Sequence, residues 1–281
     1  MIDVKESSRE IFLLVDGHAV IYRAFYAFPK ELTTPTGQLI NAVYGFSRIL
    51  LTAIRKFDPV YLAVTFDHPK PSFRREEYQD YKAHRPEMPD DLKPQIKLIK
   101  RVVTSLNIPQ YEVEGYEADD LIGTISKRLD QDHQVLTIIA TGDKDTLQLV
   151  DHNTQVWIPG RGRHGQEVLY TPAKVTEKFG ITPEQIIDLK ALMGDASDNI
   201  PGIKGVGKKT ATKLLKKFTD LNQLYQAINS HSLTWPQGAM LKKLEQGEEQ
   251  ARLSRKLATI DTKVPLEFSL EACKVSGYDK T

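Results

Sequence analysis

Acidic side chains follow three short apolar runs of this sequence, at the point where each run ends. The runs span residues 11–15, 60–66 and 135–140, and the acids behind them are Asp16, Asp67 and Asp143. Runs this short, rich in β-branched residues and without alternation, are typical of strands buried on both faces of a parallel sheet. Ligands of such sheets bind beyond the carboxyl ends of the strands, so we expect the three acids at one edge. The alternative is that they are ordinary turn residues.

Six more acids extend the pattern to nine candidates. They are Glu117, Asp119 and Asp120 at a predicted helix start, Asp145 close behind Asp143, and Asp195 and Asp198 after an apolar helix. Carboxylates in one cleft raise each other's pKa, and divalent cations relieve that repulsion. Oxygen ligands without cysteine or clustered histidine favour Mg²⁺ or Mn²⁺ over zinc. We interpret the set as a two-metal phosphodiesterase site. A structural calcium site and scattered surface acids remain as alternatives.

A basic, proline-rich segment spans residues 68–91, and Tyr81, Lys82 and Arg85 lie within it. Long polar insertions in a domain are usually functional or disordered. We interpret this one as a phosphate clamp in which Tyr81 stacks on a base and the two cations offset charge at the scissile phosphate. The alternative is a solvated loop.

A second basic element covers residues 200–217, with six lysines and no acid. Its glycines predict a hairpin that leads into an amphipathic helix, where free N–H groups can hold a phosphate. The complete GxxxxGK[ST] motif of a nucleotide P-loop is absent, and no predicted strand precedes the glycines, so this interpretation is excluded. A solvated lysine-rich helix is the alternative to a duplex-binding element. The candidate contacts are Gly202, Lys204, Gly205, Gly207, Lys208 and Lys209.

The elements that must position these residues alternate between strands and helices up to about residue 171, which predicts an α/β sheet covered by helices on both faces. Helical patterns alone follow. A single cysteine excludes an internal disulfide, and the 281 residues contain no apolar stretch long enough for a membrane span. No export signal is readable, so we expect a cytoplasmic protein without a membrane partner. His18 suggests no role beyond packing.

Six motifs in order resemble the 5′-nuclease (flap endonuclease) domain of bacterial DNA polymerase I. They lie at residues 15–17, 81–86, 115–120, 141–145, 194–201 and 202–211, and the likeness covers roughly residues 11–265. The resemblance implies a PIN-like α/β nuclease core with a mostly parallel sheet over residues 1–185, including a helical arch at about 68–105. It further implies a helix-hairpin-helix subdomain over 186–265 and a C-terminal tail or linker over 266–281.

The resemblance also assigns roles to the candidates. Asp16, Asp67, Glu117 and Asp119 match a first metal site, Asp143, Asp145, Asp195 and Asp198 match a second, and Asp120 lies between them. Arg23, Tyr81, Lys82 and Arg85 match residues near the 5′ end and the scissile phosphate. The glycine hairpin matches a duplex grip, with a monovalent cation such as K⁺ on its carbonyl groups.

The function so implied is that of a structure-specific 5′-3′ exonuclease and flap endonuclease using two or more Mg²⁺ or Mn²⁺ ions. Its substrates would be DNA with a 5′ flap, nick or 5′ end, and RNA primers, leaving 5′-phosphate and 3′-hydroxyl in primer removal and repair. We expect a monomer near the bacterial nucleoid, either stand-alone or joined to a polymerase domain in a longer chain. A non-catalytic, structure-selective DNA-binding module and a phosphatase of small substrates are the alternatives.

Overall fold

The three apolar runs predicted as strands are neighbours in one sheet. The structure is a computed structural model that describes residues 9–131, 134–160, 165–232 and 235–276. Within these residues a six-stranded sheet has the order β3-β2-β1-β4-β5-β6. Only β6 is antiparallel to its neighbour. The strands are β1 (Glu10–Asp16), β2 (Tyr61–Thr65), β3 (Gln110–Tyr111), β4 (Val135–Ala140), β5 (Thr154–Ile158) and β6 (Val168–Tyr170).

Helices of the same unit cover this sheet. They are α1 (Gly17–Ala27), α2 (Asn41–Phe57), α4 (Lys93–Ser105) and α5 (Ala118–Leu129), while the short helix α3 (Phe73–Glu77) belongs elsewhere. Helix α2 buries Phe46, Leu50 and Phe57 at helical spacing, and these side chains join the core formed by β1, β2 and β4. The predicted α/β architecture and its buried parallel strands are confirmed.

The described residues divide into two compact units. The first contains residues 9–72, 87–171 and 260–276, and the second contains 73–86 and 172–259. The second unit is helical, with α3, α6 (Pro172–Phe179), α7 (Gln185–Met193), α8 (Lys208–Lys217), α9 (Leu221–Asn229), α10 (Ala239–Gln246) and α11 (Glu248–Ala258). No described helix combines the length and apolar character needed to cross a membrane.

The two compact units differ from the predicted domains in three details. Helix α4 falls within the predicted arch at about 68–105, but its residues Ile99 and Val103 lie in the core of the first unit. Residues 73–86, by contrast, belong to the second unit, which begins again at Pro172 rather than at 186. The predicted tail at 266–281 is packed chain as far as it is described, because Cys273 is buried and Lys274 bridges to Tyr61 of β2. Residues 1–8 of the predicted core and 277–281 of the predicted tail lie outside the described residues.

Candidate active site

The carboxyl ends of β2, β1 and β4 meet at one edge of the sheet. In the parallel register, Val15 of β1 lies opposite Val64 of β2 and Ala140 of β4. Asp16 ends β1, Asp67 follows β2, and Asp143 follows β4. The strand order reverses between β1 and β4, and open α/β sheets bind ligands at such a reversal. The edge predicted from the sequence therefore exists, and it coincides with the topological switch point.

Asp16 is the most deeply placed of these acids, with 3% of its surface exposed. It caps α1 by accepting a hydrogen bond from the Ala19 backbone N–H at 3.0 Å. The pKa of Asp16 is raised to about 7, mainly by burial and to a smaller extent by the carboxylates of Asp67 and Asp143, although the hydrogen bonds from Thr141 and Ala19 lower it. The ionised form of Asp16 is therefore disfavoured where it lies, and a cation bound beside it would stabilise that form.

Thr141 joins two of the strand ends, a role that the sequence analysis missed. Its hydroxyl donates to Asp16 Oδ2 at 2.6 Å and accepts from the Asp143 backbone N–H at 2.9 Å. The Thr141 side chain is fully buried. Thr141 thereby fixes the side chain of one candidate ligand and the backbone of another.

His18, which the sequence analysis left without a role, lies against Asp67. The Asp67 backbone N–H donates to His18 Nδ1 at 2.9 Å, and Asp67 Oδ1 accepts from the Ala118 N–H at 2.7 Å. Burial lowers the pKa of His18, although the Asp67 carboxylate opposes that shift. A neutral ring with Nδ1 as acceptor suits this contact. The one feature of the sequence that could have indicated this role is that His18 stands two residues after Asp16.

The acids at the start of α5 have different roles. Glu117 is the N-cap residue, forms a capping box with Asp120, and accepts from the Ser72 hydroxyl at 2.9 Å. Asp120 is fully buried and accepts from the backbone N–H groups of Glu117 and Asp261. Each carboxylate oxygen of Asp120 thus accepts one backbone hydrogen bond, which holds the side chain at the start of α5, and its predicted place between the two metal sites stays a prediction. Asp119 is partly exposed.

Asp143 and Asp145 are also partly exposed, and Asp143 Oδ1 accepts from the Asp145 backbone N–H at 2.9 Å. Among the described residues, no three histidine, cysteine or acidic side chains are close enough together to hold one metal ion as they stand. The donor chemistry nevertheless fits a hard divalent cation. Asp16 is buried beside two other carboxylates that raise its pKa, and a divalent cation would neutralise that cluster.

Asp195 and Asp198 belong to the second unit, where each is engaged by cations. Asp195 Oδ2 lies 2.5 Å from Lys190 Nζ. Burial raises the pKa of Asp195, but the Lys190 ammonium and the Ser197 hydrogen bonds outweigh it, so the pKa is lowered. Asp198, 5% exposed, pairs with Arg85 and lies 3.8 Å from Lys82 Nζ.

The basic segment therefore packs on the loop that carries Asp198. The Lys82 backbone N–H donates to the Asp198 carbonyl at 3.0 Å, and Lys82 has a left-handed φ of 54°. The prediction that Tyr81 is available to stack on a base is wrong, because the ring is 4% exposed in a cluster with Ile200 and Leu257. Tyr81 instead packs in this cluster and hydrogen-bonds Asp198 Oδ2 at 3.4 Å.

Arg23, predicted near the 5′ end, projects from α1 in the first unit. Its guanidinium donates to the Pro159 carbonyl oxygen and lies close to Gly142, in the loop that carries Asp143. Arg23 also lines a cavity of about 660 Å³ together with Arg48. Its predicted contact with substrate stays a prediction.

The glycine-rich stretch forms a connection between α7 and α8. Gly202 and Gly205 have positive φ angles of 60° and 84°, which favour glycine. Gly207 is the N-cap residue of α8, so no capping side chain covers the first N–H groups of this helix. Lys204, Lys208 and Lys209 are exposed beside these backbone groups. This is the helix-hairpin-helix geometry that the sequence analysis expected, with open N–H groups at the start of α8.

Two family models together cover the chain from residue 11 onward. One, described as "5'-3' exonuclease, N-terminal resolvase-like domain", matches residues 11–180, and the other, "5'-3' exonuclease, C-terminal SAM fold", matches 181–281. The chain belongs to the 5′-3′ exonuclease family. The predicted family and its nuclease class, that of a phosphodiester hydrolase, are thereby confirmed.

Curated relatives of this 5′-3′ exonuclease are much longer proteins. DNA polymerase I of Bacillus subtilis is 42% identical over 275 residues, 98% of this chain and 30% of that protein. DNA polymerase I of Chloroflexus aurantiacus is 43% identical over 274 residues, 96% of this chain and 28% of that protein. The chain thus spans less than a third of the length of the relatives it matches.

Solved structures share the fold of this 5′-3′ exonuclease. The 5′-exonuclease of bacteriophage T5 with bound divalent metal ions has a TM-score of 0.70 at 21% identity, covering 90% of both chains. The catalytic core of Rad2 in complex with DNA has a TM-score of 0.57 at 17% identity, covering 91% of this chain and 80% of that one. The predicted PIN-like core with a helical second domain is confirmed at the level of the fold.

Proposed function

We propose that this chain hydrolyses phosphodiester bonds near the 5′ ends of branched or nicked DNA and of RNA primers, in primer removal and repair. The observation that carries the proposal is the group of Asp16, Asp67 and Asp143 at the switch point of the sheet. Solved relatives of the same fold support it, because one is a bacteriophage T5 flap endonuclease bound to DNA and metal ions. The expected products carry 5′-phosphate and 3′-hydroxyl groups.

Divalent cations, Mg²⁺ or Mn²⁺, are part of this proposal. Asp16, Asp67, Glu117 and Asp119 would hold one ion, and Asp143 and Asp145 would contribute to another; the predicted assignment of Asp195 and Asp198 to the second ion stays a proposal. When bound, such ions supply Lewis acidity and neutralise phosphoryl charge. Asp120, whose oxygens accept from the backbone N–H groups of Glu117 and Asp261, would lie between the two ions.

The chain's own residues supply the preorganisation. Thr141 donates to the Asp16 carboxylate. His18 accepts from the Asp67 backbone N–H, and the Ala118 N–H donates to the Asp67 carboxylate. Lys82 and Arg85 would offset negative charge that develops on the phosphoryl oxygens, since cations fixed in advance stabilise a transition state better than mobile ones. We further propose that Arg23 contacts the 5′ end.

The hairpin of the second unit would hold the duplex through its backbone. Lysines and the N-terminus of α8 contact phosphates independently of sequence, and a monovalent cation such as K⁺ on the hairpin carbonyls belongs to the same proposal. A covalently attached polymerase domain, action as a monomer, and a place in the cytoplasm near the nucleoid are further parts of it.

The test is cleavage of a branched 5′-flap DNA by the full chain in Mg²⁺ or Mn²⁺, with Asp16→Ala and Asp143→Ala as the variants. Asp90→Ala serves as control, because Asp90 is exposed and pairs with Lys93 on the surface. We expect both active-site variants to lose cleavage and the control to retain it. Full activity in excess chelator, or in both variants, would contradict the proposal. Tight flap binding without hydrolysis in either metal would favour a non-catalytic DNA-binding module.

A further inference from the structure

A buried serine of α11 supports the backbone of the glycine hairpin. The Gly202 N–H donates to Ser254 Oγ at 3.0 Å, in a contact 52 residues apart in sequence. Ser254 is fully buried. A serine inside a helix usually bonds a carbonyl of its own helix or points to solvent. Here its oxygen serves another element instead.

Gly202 is held in place from several sides. Its φ of 60° is left-handed, and a Cβ added to it would lie 2.1 Å from the backbone nitrogen of Gly194. The next residue, Ile203, donates its N–H to the Leu192 carbonyl at 2.8 Å. The Ile203 side chain packs at the start of α11, where a Cβ on Gly247 would lie 2.7 Å from Ile203 Cγ2. Ser254 of α11 and Gly247, the residue just before this helix, therefore both support the hairpin.

We propose that Ser254 is a positioning residue for duplex binding by the hairpin, an inference that rests on the proposed function. The Ser254 hydroxyl fixes the plane of the peptide between Pro201 and Gly202, and with it the direction of the backbone groups that follow. A binding loop ordered in advance avoids the entropy of becoming ordered when its ligand binds. Ser254 itself does not touch the DNA.

Removing the hydroxyl should loosen the hairpin without unfolding the helix that carries it. Alanine is a better helix former than serine, so Ser254→Ala does not weaken α11 by propensity. The Gly202 N–H, however, loses its buried acceptor, and an unmade buried hydrogen bond favours conformations in which that group finds another partner. The hairpin then samples conformations that do not match the duplex.

The experiment compares Ser254→Ala with Ser126→Ala in the full chain. Ser126 is a buried helical serine of the first unit whose hydroxyl bonds the Gly123 carbonyl of its own helix. We measure Kd for a flap DNA with a duplex arm over a range of salt, the single-turnover rate at saturating enzyme, and amide exchange of Gly202 by NMR. For Ser254→Ala we expect Kd about tenfold higher, a shallower salt dependence, faster Gly202 exchange and an unchanged saturated rate. Ser126→Ala should match the wild type in all four.

The results separate the inference from the function on which it rests. Unchanged Kd in Ser254→Ala would overturn the positioning role, whether or not Gly202 exchanges faster. Equal changes in the saturated rate and in Kd would assign Ser254 to general stability and also overturn it. Failure of the wild-type chain to bind or cleave flap DNA would instead contradict the proposed function.

Discussion

The Thr141 hydroxyl donates to Asp16 Oδ2 at 2.6 Å and so links the carboxyl ends of β4 and β1. These strands are neighbours at the point where the strand order reverses. The Thr141 hydroxyl oxygen also accepts a hydrogen bond from the Asp143 backbone N–H. The Thr141 side chain therefore sets the spacing between Asp16 and Asp143 at this edge of the sheet. A buried hydrogen-bonded group of this kind orients ligands without being one itself.

Replacing Thr141 with valine should therefore damage catalysis while keeping the shape of the side chain. We expect Thr141→Val to lower the cleavage rate about 10- to 100-fold, the range seen when groups that orient metal ligands are removed. Thr141→Ser keeps the hydroxyl and should retain most activity. The rate of flap cleavage as a function of Mg²⁺ concentration is the measurement. Thr137→Val, at a buried threonine within β4, is the control, and equal losses in the two valine variants would refute the orienting role.

Asp120→Asn should reduce stability rather than metal affinity. In Asp120→Asn, an NH₂ donor replaces one of the two carboxylate oxygens that accept backbone hydrogen bonds. That donor would face a backbone N–H group at a fully buried position, where both groups lose a hydrogen bond. We expect the free energy of unfolding to fall by about 1–3 kcal/mol. Denaturant unfolding provides the measurement, with the exposed Asp90→Asn as control. If Asp120 were a metal ligand, the Mg²⁺ concentration for half-maximal cleavage would rise instead while stability stayed constant.

Lys82→Ala should slow the chemical step more than it weakens binding. The Lys82 ammonium is already held close to Asp198 Oδ2, so it is a fixed cation of the kind that stabilises developing charge. We expect the single-turnover rate to fall about a hundredfold while Kd for flap DNA changes less than about threefold. Lys93→Ala, which removes an exposed lysine, controls for net charge. Equal losses in rate and affinity would make Lys82 a simple phosphate contact.

Gly207→Ala and Gly202→Ala separate two uses of glycine in the hairpin. A Cβ on Gly207 meets nothing within 4 Å, whereas one on Gly202 collides with the Gly194 backbone. We expect Gly202→Ala to lower the thermal unfolding temperature strongly, because both φ and space exclude a side chain. Gly207→Ala should remain folded but bind duplex DNA about tenfold more weakly if a phosphate approaches this backbone. Undiminished duplex binding by folded Gly207→Ala would show that the phosphate lies elsewhere.

The strand ends could be predicted from the sequence because the cause is local. Apolar β-branched runs form buried parallel strands, and parallel strands end at a common edge, so Asp16, Asp67 and Asp143 had to lie near one another. The hairpin with Gly202 was likewise visible, since its conformations require glycine. Motifs in order then identified the family.

What the sequence missed depends on partners far along the chain. The contact of Thr141 with Asp16 spans 125 residues, and that of Ser254 with Gly202 spans 52. No local pattern marks which threonine or serine will meet such a partner. Tyr81 was misjudged for the same reason, because a tyrosine among charged residues looks exposed until Leu257 packs against it.

The segment after α11 is needed for the packing of the first unit, so shortening the chain before it should have a cost. The Ile260 backbone N–H donates to the Gln148 side-chain oxygen, and the Asp261 backbone N–H donates to the Asp120 carboxylate. Arg128 donates to the Leu266 carbonyl oxygen. A chain shortened at residue 259 would lose these contacts with Gln148 and with Asp120 and Arg128 of α5, the helix that begins beside Glu117 and carries Asp119. Loss of a segment far in sequence from every candidate metal ligand would thus loosen the helix that carries Asp119.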